Sequence, residues 1–348
     1  MRKDVKTVSE IYAQPKVWQD CLDMLENFDI TSLIRSKDPR QTEWVFVGCG
    51  TSYYLAQAAA ASFTTLLGVK TRAVPASEIL LFPSLVFPDD AAGYFPVLIS
   101  RSGHTSEVLH VAEYLQSRST EFLAVTCDGR ELELLSPRTL KLPVLEESTV
   151  MTSSFTSMLM ALQYLAASIA GDDAFLFALR TLPKHTERLL KEYGPQVEKF
   201  AKRDFEDFAF LGQGALYAIA SETALKVMES SSSYAQYFHT LEFRHGPKSV
   251  VDAKAMVGGL ISESGYESEI SVLVEMKELG GTIFAVANSA SDTLRKTADL
   301  LIELSLPVPE LARIIVYVVW GQLLGSYRGL EKGLDPDNPR NLNRVVTI

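Results

Sequence analysis

Residues 45–56 read VFVGCGTSYYLA, and residues 209–220 read AFLGQGALYAIA. Each is a short apolar run, then a Gly-x-Gly turn, then an alanine-bearing segment, which predicts a buried strand entering a helix through a tight turn. This is how α/β folds approach a ligand at the carboxyl edge of a parallel sheet. The third glycine of a dinucleotide fingerprint is missing, since position 53 is Tyr, and no lysine-bearing P-loop pattern is present. Two more echoes follow in the same order: LISRSGHTSE (98–107) with LISESGYESE (260–269), and FLAVT (122–126) with IFAVA (283–287). Their nearly constant spacing points to duplication of one unit, hence an α/β protein of two domains, each a parallel sheet flanked by helices.

The duplicates differ where a ligand would sit. The first carries hydroxyls at Thr51, Ser52, Ser100, Ser102 and Thr105, with Arg101 among them. Hydroxyls and free N–H groups at a strand-to-helix junction make a phosphate nest, although one serine there is also an ordinary helix cap. The second has Ala215 and Leu216 in place of Thr51 and Ser52, and Glu263 in place of Arg101. A carboxylate repels phosphate, so phosphate binding is assigned to the first copy.

The second copy carries ETALKVMESSSSYAQYFHTLEFRHGP (222–247) instead. On a helix from Ala218 to Glu229, Glu222, Lys226 and Glu229 share one face, an arrangement that also describes a solvated ion pair. His245 follows, before Gly246 and Pro247. A phosphate anchor with a carboxylate, a lysine and a histidine suits proton transfer on a sugar phosphate. One carboxylate, Glu229, can take the C2 proton and return it at C1. A histidine such as His245 can open the sugar ring. Lys226 either stabilises the developing oxyanion or holds Glu229, and Glu222 is its partner.

Composition narrows the classes. The 348 residues, 47% hydrophobic, suffice for two domains with cores. A net charge of −10 argues against nucleic acid and anionic membrane as partners. Cys21, Cys49 and Cys127 have no metal-like or CxxC spacing, so neither disulfides nor a metal site are expected and a reducing cytoplasm is. The N-terminus has no apolar signal segment, and the apolar run Ile314 to Val319 reads as a core or subunit-interface helix. Further helices are expected over Leu55 to Ala61 and Met158 to Ala170, with an amphipathic one beginning near Pro15. The expected divisions are a helical segment at 1–40, domains at 41–185 and 186–334, and a tail at 335–348. Gly171, Asp172, Asp173 and Pro183 mark the connection between halves.

EIYAQP (10–15), GCGTS (48–52), SRSGHT (100–105), ESTVMTSSFT (147–156), ETALKVME (222–229), LEFRHGP (241–247) and DPDNPRNLNRV (335–345) together resemble tandem sugar isomerase (SIS) domain proteins. The similarity is to the isomerase half of glutamine:fructose-6-phosphate amidotransferase and to aminosugar phosphate deaminases, isomerases and fructosamine-6-phosphate deglycases. The resemblance implies two flavodoxin-like αβα sandwiches. It also implies a sugar phosphate held by Ser52, Ser100, Ser102 and Thr105, with Thr51, Arg101, Thr149 and Arg344 nearby. Glu229 is then the base, assisted by Lys226, and His245 acts across a homodimer interface, with the C-terminal tail over the sugar. No cofactor is required. There are two departures. The chain opens MRKDVK, without the glutaminase domain and its cysteine, so glutamine-dependent synthesis is not expected. Arg344 stands where the family has a lysine able to form an imine, and arginine stays protonated. The expected activity is an aminosugar phosphate isomerase or deaminase, with a deglycase or a sugar-phosphate sensor as alternatives.

Overall fold

The computed structural model describes residues 5–34, 38–88, 93–136 and 138–346. Its strands are β1 (Glu43–Gly48), β2 (Thr71–Pro75), β3 (Tyr94–Ile99), β4 (Leu123–Thr126), β5 (Thr139–Lys141), β6 (Asp207–Gly212), β7 (Tyr234–His239), β8 (Ala255–Leu260), β9 (Thr282–Ala287) and β10 (Leu300–Glu303). Its helices up to the middle of the chain are α1 (Lys6–Glu26), α2 (Thr51–Leu67), α3 (Ala76–Leu81), α4 (Pro83–Val86), α5 (Ser106–Ser117), α6 (Arg130–Leu135), α7 (Ser153–Ala170) and α8 (Asp173–Phe200). They are followed by α9 (Ala215–Ser231), α10 (Tyr266–Glu278), α11 (Asp292–Thr297) and α12 (Glu310–Glu331).

The chain forms two compact units. The first-repeat unit comprises Lys16–Glu146, Ser153–Arg180 and Asn343–Ile348; the second-repeat unit comprises Met1–Pro15, Glu147–Thr152 and Thr181–Leu342. Each holds one five-stranded sheet, in the orders β2-β1-β3-β4-β5 and β7-β6-β8-β9-β10, and all pairings are parallel. The two orders are the same order, which is the flavodoxin-like one, and duplication is thereby visible in topology. The inner strands are apolar without alternation because both sheet faces are covered: Val45, Phe46 and Val47 are fully buried, as are Ile283, Phe284 and Ala285.

The duplicated Gly-x-Gly turns have one geometry. Gly50 (φ 54°) and Gly214 (φ 58°) occupy the left-handed region at the start of α2 and α9. At Gly48 an added Cβ would lie 2.4 Å from the Ser52 backbone, and at Gly212 it would lie 2.2 Å from the Leu216 carbonyl. The glycines therefore let each helix turn back over its strand.

α1 starts at Lys6 and runs through Pro15, nine residues earlier than the expected start near Pro15. The early start is held by Asp337, whose carboxylate accepts from the Lys6 and Thr7 amides at 2.9 and 2.7 Å and from Thr7 Oγ1 at 2.7 Å. The connection between halves turns at Gly171 (φ 69°), as expected, but Pro183 does not end the next element. α8 continues through Pro183 and Pro195, carried by a buried stripe that includes Leu179, Leu182, Leu189, Leu190 and Val197. Ile314 to Val319 lies inside α12, which is buried along most of its length. Among the described residues no helix is long and apolar enough to cross a membrane.

Candidate active site

In the first-repeat unit the hydroxyl turns follow β1 and β3, adjacent strands whose connections leave in opposite directions. This is the topological switch point, the place at the carboxyl edge where doubly wound sheets bind their ligands. Thr51 and Ser52 begin α2; Ser100, Ser102 and Thr105 lead into α5, whose first turn has no side-chain cap. Ser100 Oγ lies 3.2 Å from Thr105 Oγ1 and accepts from the Gly103 amide at 3.1 Å, while Ser102 Oγ accepts from the His104 amide at 3.1 Å. The turn is thus preorganised by its own hydroxyls. Packing fixes it further: a Cβ on Gly103 would lie 1.9 Å from the Gly129 carbonyl oxygen, and the Gly103 carbonyl accepts from the Leu132 amide at 3.0 Å.

Arg101 is buried within this turn, and its guanidinium is committed elsewhere. Nη1 donates to Glu146 at 2.9 Å, in a pair whose side chains are 5% and 1% exposed. Glu146 also accepts from Ser153 Oγ at 3.0 Å, from the Ser154 amide at 3.1 Å and from Ser154 Oγ at 2.5 Å. Arg101 Nη2 donates to the Arg344 carbonyl at 3.3 Å, and the Ser106 amide donates to the Val346 carbonyl at 3.4 Å. The end of the tail accordingly lies against the hydroxyl turn, with the Arg344 guanidinium 3.7 Å from Asp128. Glu146 and Asp128 escape a reading of the sequence. The only trace of Glu146 is its place just before ESTVMTSSFT.

In the second-repeat unit the equivalent turn is filled from within. Ser262 corresponds to Ser100, and its Oγ accepts from the Gly265 amide at 2.9 Å, as Ser100 does from Gly103. Here the Glu269 carboxylate occupies the turn, accepting from the Ser262 amide and Oγ, each at 2.7 Å. Burial raises the Glu269 pKa above its ordinary 4.5, against the pull of the Ser262 hydrogen bonds. Glu263 points outward and pairs with the buried Arg313.

The same unit carries the charged helix. α9 brings Glu222, Lys226 and Glu229 together: Lys226 Nζ lies 3.2 Å from Glu222 Oε1 and 2.5 Å from Glu229 Oε2. Glu222 and Lys226 are buried, whereas the Glu229 side chain keeps 19% exposure. Burial works to lower the Lys226 pKa, but the two carboxylates outweigh it and hold the ammonium above its usual 10.5. Lys226 is therefore a cation here and not a free amine. α9 is seated against α12 through glycines: Cβ atoms on Gly321, Gly325 and Gly329 would lie 2.3 Å from Thr223 Cγ2, 2.6 Å from the Lys226 carbonyl oxygen and 2.0 Å from the Ser230 carbonyl oxygen.

His245 ends a short 3-10 turn (Glu242–Arg244) and is exposed, lining a shallow cavity of about 500 Å³ with Leu241, Arg244, Glu267, Ser268 and Ser271. None of the α9 charges lines that cavity. Thr149 lies in the 147–152 strap. There the Glu10 carboxylate accepts from the Glu147 amide at 2.6 Å, and Gln322 Nε2 donates to the Thr152 carbonyl at 3.2 Å. The EIYAQP and ESTVMT motifs thus contact each other.

The SIS domain family matches residues 40–168 and 206–319. The glutamine–fructose-6-phosphate aminotransferase (isomerizing) of Methanothermobacter thermautotrophicus is 30% identical over 307 residues, 87% of this chain and 51% of that protein. The enzyme of the same name from Wigglesworthia glossinidia brevipalpis is 26% identical over 97% of this chain and 58% of its own length. The chain thus spans little more than half of these relatives. Among solved structures, a glucosamine-6-phosphate deaminase from Thermotoga maritima matches with TM-score 0.82 and 28% identity, covering 99% of this chain and 100% of that one. The tagatose-6-phosphate ketose/aldose isomerase of Escherichia coli shares the fold, with TM-score 0.83 at 21% identity over 95% and 94% of the two chains. Two copies of one topology, matched over both repeats, establish that this chain belongs to the SIS domain family.

Proposed function

We propose that the protein is an aldose–ketose isomerase or deaminase of aminosugar phosphates, converting glucosamine 6-phosphate or a close relative into fructose 6-phosphate and ammonia. The observation that carries this reading is the α9 triad, in which a protonated Lys226 is buried between two carboxylates and only Glu229 reaches solvent. A solvated helix face would not bury two of its three charges.

In the proposed reaction the hydroxyl turn of Ser52, Ser100, Ser102 and Thr105 takes the phosphate. His245 moves a proton from the anomeric hydroxyl to the ring oxygen and opens the ring. Glu229 removes the C2 proton, O1 gains one, and a C1–C2 enolamine forms; Lys226 offsets the negative charge developing beside the base. Glu229 returns the proton to C1, leaving an imine at C2. Water adds there and ammonia departs, giving the ketose. Arg344 contributes charge without an imine of its own. We assign the protein a homodimeric state in the cytoplasm; His245, exposed and lining a cavity that none of the α9 charges lines, is placed to serve the partner's site.

The test follows label from deuterated water at C2 and free ammonia, with a panel of hexose and aminohexose 6-phosphates. Exchange with ammonia is expected. Exchange without ammonia would leave a plain isomerase, and binding without exchange a sensor. Glu229→Gln is expected to lose at least about a thousandfold in exchange with binding retained. Near-normal exchange by that variant would remove Glu229 as the base.

A further inference from the structure

Beside the hydroxyl turn, on the far side of the loop that backs it, a cavity of about 1000 Å³ opens at the carboxyl ends of β4 and β5. Its character differs from that of the protein as a whole. The chain carries a net charge of −10, yet the cavity is lined by Arg130, Lys141 and Arg344 against a single carboxylate, Asp128. Its remaining surface is largely apolar, with Met24, Val144 and Leu145 among the lining residues. Leu145 is 92% exposed, so its side chain is left uncovered by the described residues. Cations beside exposed apolar surface suit one kind of small molecule, an anion carried on an apolar body.

The loop that bears these groups is built for a fixed shape. Gly129 (φ 84°) and Arg130 (φ 44°) are both left-handed, and for Arg130 this is a costly conformation that aims a long cationic side chain. The positive φ of Gly129 favours glycine there, and the loop passes close to the Glu133–Lys141 pair, whose Oε2 and Nζ would lie 2.0 and 2.9 Å from an added Cβ. The loop is also joined to the phosphate turn. The Cys127 and Asp128 amides donate to the Arg101 carbonyl at 3.1 and 3.0 Å, and Asp128 faces the guanidinium of Arg344. Lys141 is engaged by Glu133 at 2.8 Å, whereas Arg130 takes part in none of the ion pairs among the described residues.

We propose that this cavity is a second anion-binding site, taking a carboxylate borne on an apolar body, with Arg130 and Lys141 holding the carboxylate and Leu145 and Pro143 covering the body. Bidentate contact with arginine fixes the carboxylate plane, and the apolar wall excludes water from it. Two sources share this chemistry: a free carboxylate acting as an effector, or a carboxylate on the amine of the sugar phosphate itself. The second alternative rests on the isomerase/deaminase reading; the binding site does not.

The probe is 3-phenylpropionate, titrated by ligand-observed NMR against the whole chain, with 3-phenylpropionamide as the uncharged match. Binding at about millimolar Kd is expected for the acid, at least about tenfold weaker for the amide, and weaker with added salt. Arg130→Gln with Lys141→Gln is expected to weaken the acid about tenfold, and Glu133→Gln, which frees Lys141, to strengthen it. Equal affinity for acid and amide, or no change in the double variant, would overturn the site. To separate the sources, glucosamine 6-phosphate is compared with its N-(1-carboxy-2-phenylethyl) derivative, a conjugate whose C2 amine carries both the carboxylate and the apolar body. A gain of more than about tenfold for the conjugate, lost in the double variant, assigns the site to the substrate. No gain, with 3-phenylpropionate still bound, assigns it to an effector. Because these are binding measurements, a chain without isomerase activity leaves their result intact.

Discussion

Lys226 occupies a position that no uncharged side chain of similar length can fill. It lies 3.2 Å from Glu222 Oε1 and 2.5 Å from Glu229 Oε2, and Glu222 is fully buried. Lys226→Met leaves two carboxylates facing each other with nothing between them, and the expected loss of stability is about 3–5 kcal/mol. The same pairing sets a pH dependence. The folded-state pKa of Lys226 lies above 10.5, so the folded protein binds the proton more tightly than the unfolded chain. The contribution is fully present below pH 10.5 and is lost as pH rises through the folded value. Urea unfolding of wild type and variant, near neutrality and above pH 10.5, reads both effects; the gap between the two proteins should narrow on the alkaline side. The helical spacing of Glu222, Lys226 and Glu229 was legible in the sequence. Their burial was not, because it depends on α12, a helix that lies far along the chain from α9. Glu269 is a similar case: LISESGYESE reveals a carboxylate at that position, but only the folded turn puts it onto the Ser262 amide and hydroxyl.

The seating of α9 is decided by α12. Gly321, Gly325 and Gly329 recur every fourth residue, so they line one face of the helix and let another backbone approach closely. The tightest consequence for the site is at Gly325, where a methyl group would meet the Lys226 carbonyl oxygen at 2.6 Å and Val227 Cα at 3.1 Å. Both are backbone atoms and cannot rotate away. Gly325→Ala should therefore push the helices apart, costing about 1–3 kcal/mol. It should also lower proton exchange in excess of any change in substrate affinity, because Lys226 and Glu229 shift together. A denaturant series and the deuterium assay on one preparation check this, and unchanged exchange would mean that α9 does not depend on that contact. The glycine spacing is present in GQLLGSYRGL, but sequence alone does not say which helix it faces. The start of α1 was hidden for a related reason. Its cap, Asp337, lies some 330 residues away, and Pro15 looks locally like a helix beginning.

For the molecule as a whole, duplication made the fold legible early. Three echoes in one order were enough to imply two parallel sheets, and both have the order 2-1-3-4-5. The divergence of the copies is the harder part. Both turns after the third strand keep a serine that accepts from the glycine amide, yet only the second is closed by its own carboxylate. If one copy binds phosphate and the other has an internal carboxylate in that place, matched substitutions must have unmatched effects. Ser102→Ala removes a hydroxyl from the first turn and is expected to raise the KM for a sugar phosphate by about tenfold or more, the worth of one hydrogen bond to a charged group, with a smaller change in kcat. Ser264→Ala, at the corresponding place beside Gly265, alters an exposed residue next to a filled turn and should leave KM and kcat as they are. Steady-state kinetics on both variants decide the matter. Equal shifts from the two would mean that the second turn also takes phosphate, and Glu269 would then have to leave Ser262 when substrate arrives.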